Sequence, residues 1–277
     1  MPTSSTKADT AAAKAPSLGL PLKQLLSWWL ALCALAALAW IVTVDQANGM
    51  GIGPGTMGLT LLAFLSLWVM MMAAMMLPSV APMVVVWVRS VSARATTWQR
   101  VSGVGQFLAG YLIVWTAFGL LAYIALLGAE RLVDTSPSAA KWVGSAIFAL
   151  AGIYQLTPLK QACLRHCRSP IGSLFHYASF RGPVRDLRVG MHHGAYCVGC
   201  CWGLMIVLIA VGAMNIAVMA ALAVVILVEK VWRYGRPFAS AVGALLLVAA
   251  VLAPWNPWLL PGLHMSSSMS IETTTDM

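Results

Sequence analysis

The stretch CVGCCWGLMIVLIAVGAMNIAVMAALAVVILV, Cys197–Val228, runs for 32 residues without a charge. One membrane-crossing helix needs about 20 apolar residues, so the run is longer than a single crossing requires. Gly212-Ala213-Met214-Asn215 interrupts it near its middle. Glycine weakens a helix and asparagine favours turns, so a tight hairpin here makes two short helices.

The rest of the 277-residue chain has the same character: 60% of it is apolar and 9% charged. A soluble domain carries about 25% charged residues, and this chain has too few to cover a water-exposed surface. The uncharged blocks are Leu25–Val44, Met57–Val88, Val104–Ala129, Trp142–Leu159, Val189–Val228 and Pro237–Pro261. The expected fold is therefore all-α, a polytopic transmembrane helix bundle. The first block begins too late and lacks the cleavage site of a removable signal peptide. Pro78 and Pro82 are expected to kink or end the second helix before Arg89.

The net charge of +9 decides the helix count. Cytoplasmic loops collect Lys and Arg. With a hairpin in the fifth block, seven helices place 15 of the 17 basic residues on the N-terminal side, leaving Arg131 and Lys141 opposite. Six helices, the alternative, strand Lys230, Arg233 and Arg236 outside and divide the charge less cleanly. The expected topology is seven helices, N-terminus in and C-terminus out. The expected organisation is a disordered segment over 1–24, a helical domain over 25–261 with a cytoplasmic Cys/His loop at 159–196, and a flexible external tail over 262–277. The charge excess then records orientation, and no patch calls for nucleic acid.

Five of six cysteines fall into two groups, Cys163 with Cys167 and Cys197 with Cys200 and Cys201. The topology puts both groups on the reducing cytoplasmic face, where free thiols are expected rather than disulfides. A four-residue step sets Cys163 and Cys167 on one helix face, and C-x-x-C is a common chelating step for a thiolate metal site. His166, His176, His192 and His193 lie nearby and can supply imidazole. Lys160, Arg165 and Arg168 favour thiolates. Cys33 stands apart and reads as a small apolar packing residue. Met70, Met71, Met72, Met75 and Met76 crowd into seven positions before Leu77-Pro78-Ser79. Thioethers and thiolates select Cu(I) over hard ions, and helical spacing brings Met72, Met75 and Met76 together. Met205, Met214 and Met219 can face them from the hairpin, although methionine also fills membrane cores by packing alone. Polar residues at membrane depth are further candidates: Tyr154, Gln155, Thr157, Asn215, Glu229 and Lys230, the last two explained equally by a local pair or by snorkelling. No P-loop, H-E-x-x-H or G-x-S-x-G occurs, and acidic residues are scarce on the inner side. Binding or carriage of a metal is favoured over catalysis.

Three segments carry a resemblance. W-x-MMM-AAMMLPS (Trp68 to Ser79), YQLTPLKQACLRHCRSP (Tyr154 to Pro170) and the stretch from Gly194 through AYCVGCCWGLM and MN to VEK ending at Lys230 resemble the family of predicted metal-binding integral membrane proteins. Some of its members are described as copper chaperones. The resemblance implies a polytopic inner-membrane protein with a metal site at Cys163, Cys167, Cys197, Cys200 and Cys201, with Met70–Met76 as further candidates. It departs near the hairpin, where Ala217-Val218 stand in place of a tryptophan common in the family. The leading functional expectation is Cu(I) handling by a chaperone or transport accessory, with a metal-donor or acceptor protein as partner. A structural zinc–thiolate site is the alternative. A thiol redox membrane enzyme ranks third, since only Cys33 lies away from the two groups.

Overall fold

The computed structural model describes residues 22–50, 55–56, 58–92, 96–177 and 179–263. Lys7, Lys14, Arg94 and nearly all of both expected terminal segments lie outside these residues. Leu22–Gln24 belong to the first helix, and Gly262 and Leu263 are buried.

The described residues are overwhelmingly helical, with no strand among them. The order is α1 (Leu22–Met50), α2 (Leu61–Ser92), α3 (Thr97–Thr135), α4 (Pro137–Leu156), α5 (Pro158–Arg168), α6 (Pro170–Tyr177), α7 (Arg185–Val211), α8 (Ile216–Val231) and α9 (Gly235–Leu252), followed by short 3-10 turns to Leu263. Five helices (α1, α2, α3, α7, and α9 extended to Trp255) are long and apolar enough to cross a membrane, and α4 with α5 forms a sixth candidate bent by 64°.

Two expectations need correction. Pro78 and Pro82 lie inside α2, which continues to Ser92. Each proline removes one backbone hydrogen bond, but Met71–Leu77 and Val80, Ala81, Met83 and Val84 are all buried, and this packing holds the helix while Pro82 lies on its exposed side. Most of the stretch 159–196, expected as a loop, is helical: it holds α5, α6 and the first turns of α7. Thr157 builds the first of these corners: its hydroxyl donates to the Tyr154 carbonyl at 2.8 Å and accepts from the Lys160 amide at 3.3 Å. It thus ends α4 and starts α5, with Pro158 at the first helical position.

The break between α7 and α8 falls at Gly212–Asn215, where the sequence places it. Gly212 adopts φ +94°, a conformation side chains resist, and the Asn215 side chain caps α8 by accepting from the Val218 amide at 3.2 Å. Asn215 is thus explained by the turn itself.

α3 and α7 lie in close contact along glycines. A side chain at Gly110 would run into the Leu187 carbonyl, and one at Gly190 into the Phe107 carbonyl. Small residues let membrane helices approach this closely. Gly190, Gly194 and Cys197 share one stripe of α7 by helical spacing, so the approach carries Cys197 onto α3 beside Tyr111.

Candidate metal centre

α7 presents Cys197, Cys200 and Cys201 within little more than one turn, and their sulfur atoms lie within 4.8 Å of one another. The Cys200 and Cys201 thiols both point back to the Cys197 carbonyl, at 3.1 and 2.8 Å. α5 adds a fourth sulfur: Cys167 Sγ lies 3.9 Å from Cys200 Sγ. Sulfurs about 2.3 Å from one tetrahedral metal stand close to 3.8 Å apart, so this pair has chelating separation without rearrangement. All the cysteines are free thiols.

Cys163 occupies a different position, half-buried against Gly199. The four-residue step puts both α5 cysteines toward α7, where Cys167 stands beside Cys200 and Cys163 packs against Gly199.

Cys197 is also the meeting point of polar groups from three other helices. Lys230 Nζ on α8 lies 3.0 Å from its sulfur and donates at 3.1 Å to Ser79 Oγ on α2. Tyr111 Oη on α3 lies 2.9 Å from the same sulfur. Lys230 therefore neither pairs locally nor snorkels outward. Neighbouring residues on a helix point about 100° apart, so Glu229 faces elsewhere. Its carboxylate accepts from Lys160 Nζ at 2.7 Å and Gln155 Nε2 at 2.9 Å, tying α8 to α5 and α4. Both charged side chains of that pair are essentially inaccessible. Lys160 is thus committed to Glu229, and Arg168 donates to the Trp232 and Arg233 carbonyls; the cation at the thiols is Lys230. Tyr154 donates to the Gly199 carbonyl and packs on Trp202, with ring centroids 4.7 Å apart.

A second cluster, of imidazoles and phenols, adjoins the thiols where α5, α6 and α7 meet. His166 stacks on Tyr196 at 3.9 Å, and its Nε2 lies 2.8 Å from Tyr177 Oη. His192 Nδ1 lies 3.4 Å from the same hydroxyl, and His176 stacks on His192 at 4.9 Å. Burial pushes the Tyr177 phenol well above its ordinary value, so it remains a donor with one proton for two imidazoles. His193, one turn before Cys197, is buried, and its Nδ1 has no hydrogen-bond partner. A buried ring nitrogen without a partner is uncommon and calls for an explanation.

Met72, Met75 and Met76 are fully buried in α2. Met75 and Met76 stand one turn before Ser79, on the side of α2 that meets Lys230. Met205, Met214 and Met219 are buried as well.

Sequence reading missed Tyr111, Ser79, Tyr177 and Tyr196. Tyr111 had a usable signal, a phenol deep in the apolar α3 next to Gly110. The other three have no local mark.

No curated protein and no solved structure matches the chain. A family profile described as copper chaperone, PpoB2, matches residues 65–253, which include all four clustered sulfurs, Tyr111 and Lys230. That span is most of the chain, and the protein belongs to this copper-chaperone family.

Proposed function

We propose that the protein is an integral membrane copper chaperone that carries Cu(I) on the thiols of Cys197, Cys200, Cys201 and Cys167. His193 stands by as an additional ligand, and the α2 thioethers Met72, Met75 and Met76 offer a path onward to an acceptor protein. The observation that carries this reading is the group of three close thiols, with Cys167 beside Cys200 and the Lys230 ammonium against Cys197. A buried ammonium needs an anion, and the described acid nearest in sequence, Glu229, is held by Lys160 and Gln155. A thiolate at the cluster balances Lys230, and a thiolate is the form that binds copper. The family description points to the same metal.

Aromatic side chains support the membrane setting. Exposed Trp232 and Tyr234 stand before α9, and exposed Trp255 and Trp258 stand after it. At 1.5 Å per residue the two groups are about 30 Å apart, the thickness of the hydrocarbon layer, and Trp and Tyr favour both of its interfaces. The basic-residue distribution supports seven crossings with α8 among them, the N-terminus in and the thiols toward a bacterial-type cytoplasm. A reporter fused after Asp276 is expected to read as external.

Zinc is the second reading, favoured by the sulfur count, since four thiolates close a tetrahedral structural site. Metal analysis of protein purified in detergent separates the two. The expected result is copper in the intact protein and background metal in a variant with Cys167, Cys197, Cys200 and Cys201 changed to Ser. Equal metal content in both proteins rejects the site, and zinc alone rejects the copper reading.

A further inference from the structure

Four arginines converge where α5 ends and α8 turns into α9. Arg165, Arg168, Arg233 and Arg236, with Ser169, line a cavity of about 320 Å³ open to the surface, and no carboxylate appears among these lining residues. Four guanidinium groups around one space repel each other unless an anion sits between them. Arg168 is fixed there by donating from Nη2 to the Trp232 carbonyl at 2.7 Å and the Arg233 carbonyl at 3.2 Å. Arg233 lies 4.7 Å over the Tyr234 ring, and stacking on that face leaves the N–H edge of the guanidinium free. Planar guanidinium edges match pairs of phosphate oxygens.

We propose that this cavity binds the phosphate headgroup of an anionic phospholipid. The surroundings favour a lipid over a free anion. Exposed Trp232 and Tyr234, packed at 5.6 Å, flank the cavity as interface anchors do. Exposed Val231 and Val224, two turns apart on one face of α8, continue from it as an apolar track for an acyl chain. A basic pocket at the cytoplasmic ends of membrane helices is where anionic headgroups are held.

The proposal rests on the membrane reading, which is tested separately by whether detergent, and not salt or alkali, releases the protein from membranes. The lipid test uses delipidated full-length protein in neutral detergent, titrated with dioleoylphosphatidylglycerol, dioleoylphosphatidylcholine or inorganic phosphate, with bound lipid counted by native mass spectrometry. Each arginine near an anionic surface is worth roughly fivefold in affinity. The R233Q/R236Q variant, which keeps both carbonyl contacts of Arg168, is therefore expected to lose the phosphatidylglycerol preference by about 30-fold. The R233K/R236K variant keeps the charge and is expected to retain most of that preference, which separates recognition from misfolding. Undiminished preference in the Gln variant overturns the proposal. So does inorganic phosphate that displaces phosphatidylglycerol at equal concentration, because the site then takes a soluble anion.

Discussion

Lys160 and Lys230 are both buried, and they reach their neighbours from different helices, α5 and α8. Lys160 has a carboxylate at 2.7 Å, itself held by Gln155. Lys230 has a cysteine sulfur at 3.0 Å and a serine hydroxyl at 3.1 Å. The first arrangement is closed, with charge balanced by charge and the acceptor oxygens occupied. The second is open, balanced only if a thiol ionises. A closed pair holds helices in place, whereas an open one leaves its ammonium against a sulfur and a hydroxyl. The two lie on successive residues of α8, so Glu229 and Lys230 divide structural and chemical duty between two faces of one helix.

The largest effect is expected from breaking the closed pair. Glu229→Gln leaves the Lys160 ammonium buried without its counter-charge, which typically costs about 3–5 kcal/mol. The unfolding midpoint in a denaturing detergent should fall accordingly. Replacing both partners, as K160M/E229L, should recover most of that loss, because an apolar pair of similar volume carries no desolvation penalty. A double variant as unstable as the single one would mean that Glu229 has a further role.

The same operation on the open partner should act on metal rather than fold. Lys230→Met keeps the side-chain volume and removes the charge, so stability should change by less than about 1.5 kcal/mol. Copper affinity, read by competition with a chromophoric Cu(I) chelator, should drop by about 10–100-fold, the usual range for groups that tune metal ligands. If Lys230→Met unfolds the protein as Glu229→Gln does, the contrast between the two lysines fails.

Next in size is the difference between the cysteines of α5. Cys167→Ser removes a sulfur 3.9 Å from Cys200 and should lower copper affinity by about tenfold. Cys163→Ser, beside Gly199, should leave copper affinity unchanged. Equal losses from the two would mean that α5 rotates on binding and brings both sulfurs to the metal.

How much of this was legible in the sequence depended on whether the signal was local. The α7–α8 break was readable because Gly212 and Asn215 each carry a conformational preference of their own. The α5 and α6 helices were not, since these short segments read as loop and are held by contacts that no local pattern encodes, α5 on α7 and α8, α6 on α2 and α7. The cysteines announced the site by spacing, but spacing could not say that Cys167 would join it and Cys163 pack aside. That depends on the 64° bend at Thr157, which sets how α5 meets α7. The partner of Glu229 was out of reach for the same reason, because Lys160 and Gln155 lie about seventy positions earlier in the chain. Copper as the metal came from ligand softness and from the family, not from geometry, which suits zinc equally.

The smallest expected effect tests whether the open lysine works through the sulfur. Tyr111 Oη lies 2.9 Å from Cys197 Sγ, the same atom that Lys230 approaches. If Lys230 keeps that sulfur ionised, the phenol donates to a charged acceptor, a bond worth about 1.5–3 kcal/mol, against about 1 kcal/mol for a neutral one. Tyr111→Phe should therefore destabilise the metal-free protein more in the wild-type background than in the Lys230→Met background. The difference, a coupling of about 1 kcal/mol, is read from the four unfolding midpoints of a double-mutant cycle. The Tyr177→Phe change, whose hydroxyl serves His166 and His192 instead, should show no coupling to Lys230. Additive losses for Tyr111 and Lys230 would mean that the sulfur is a neutral thiol in both backgrounds, and the ammonium would then need another anion to balance it.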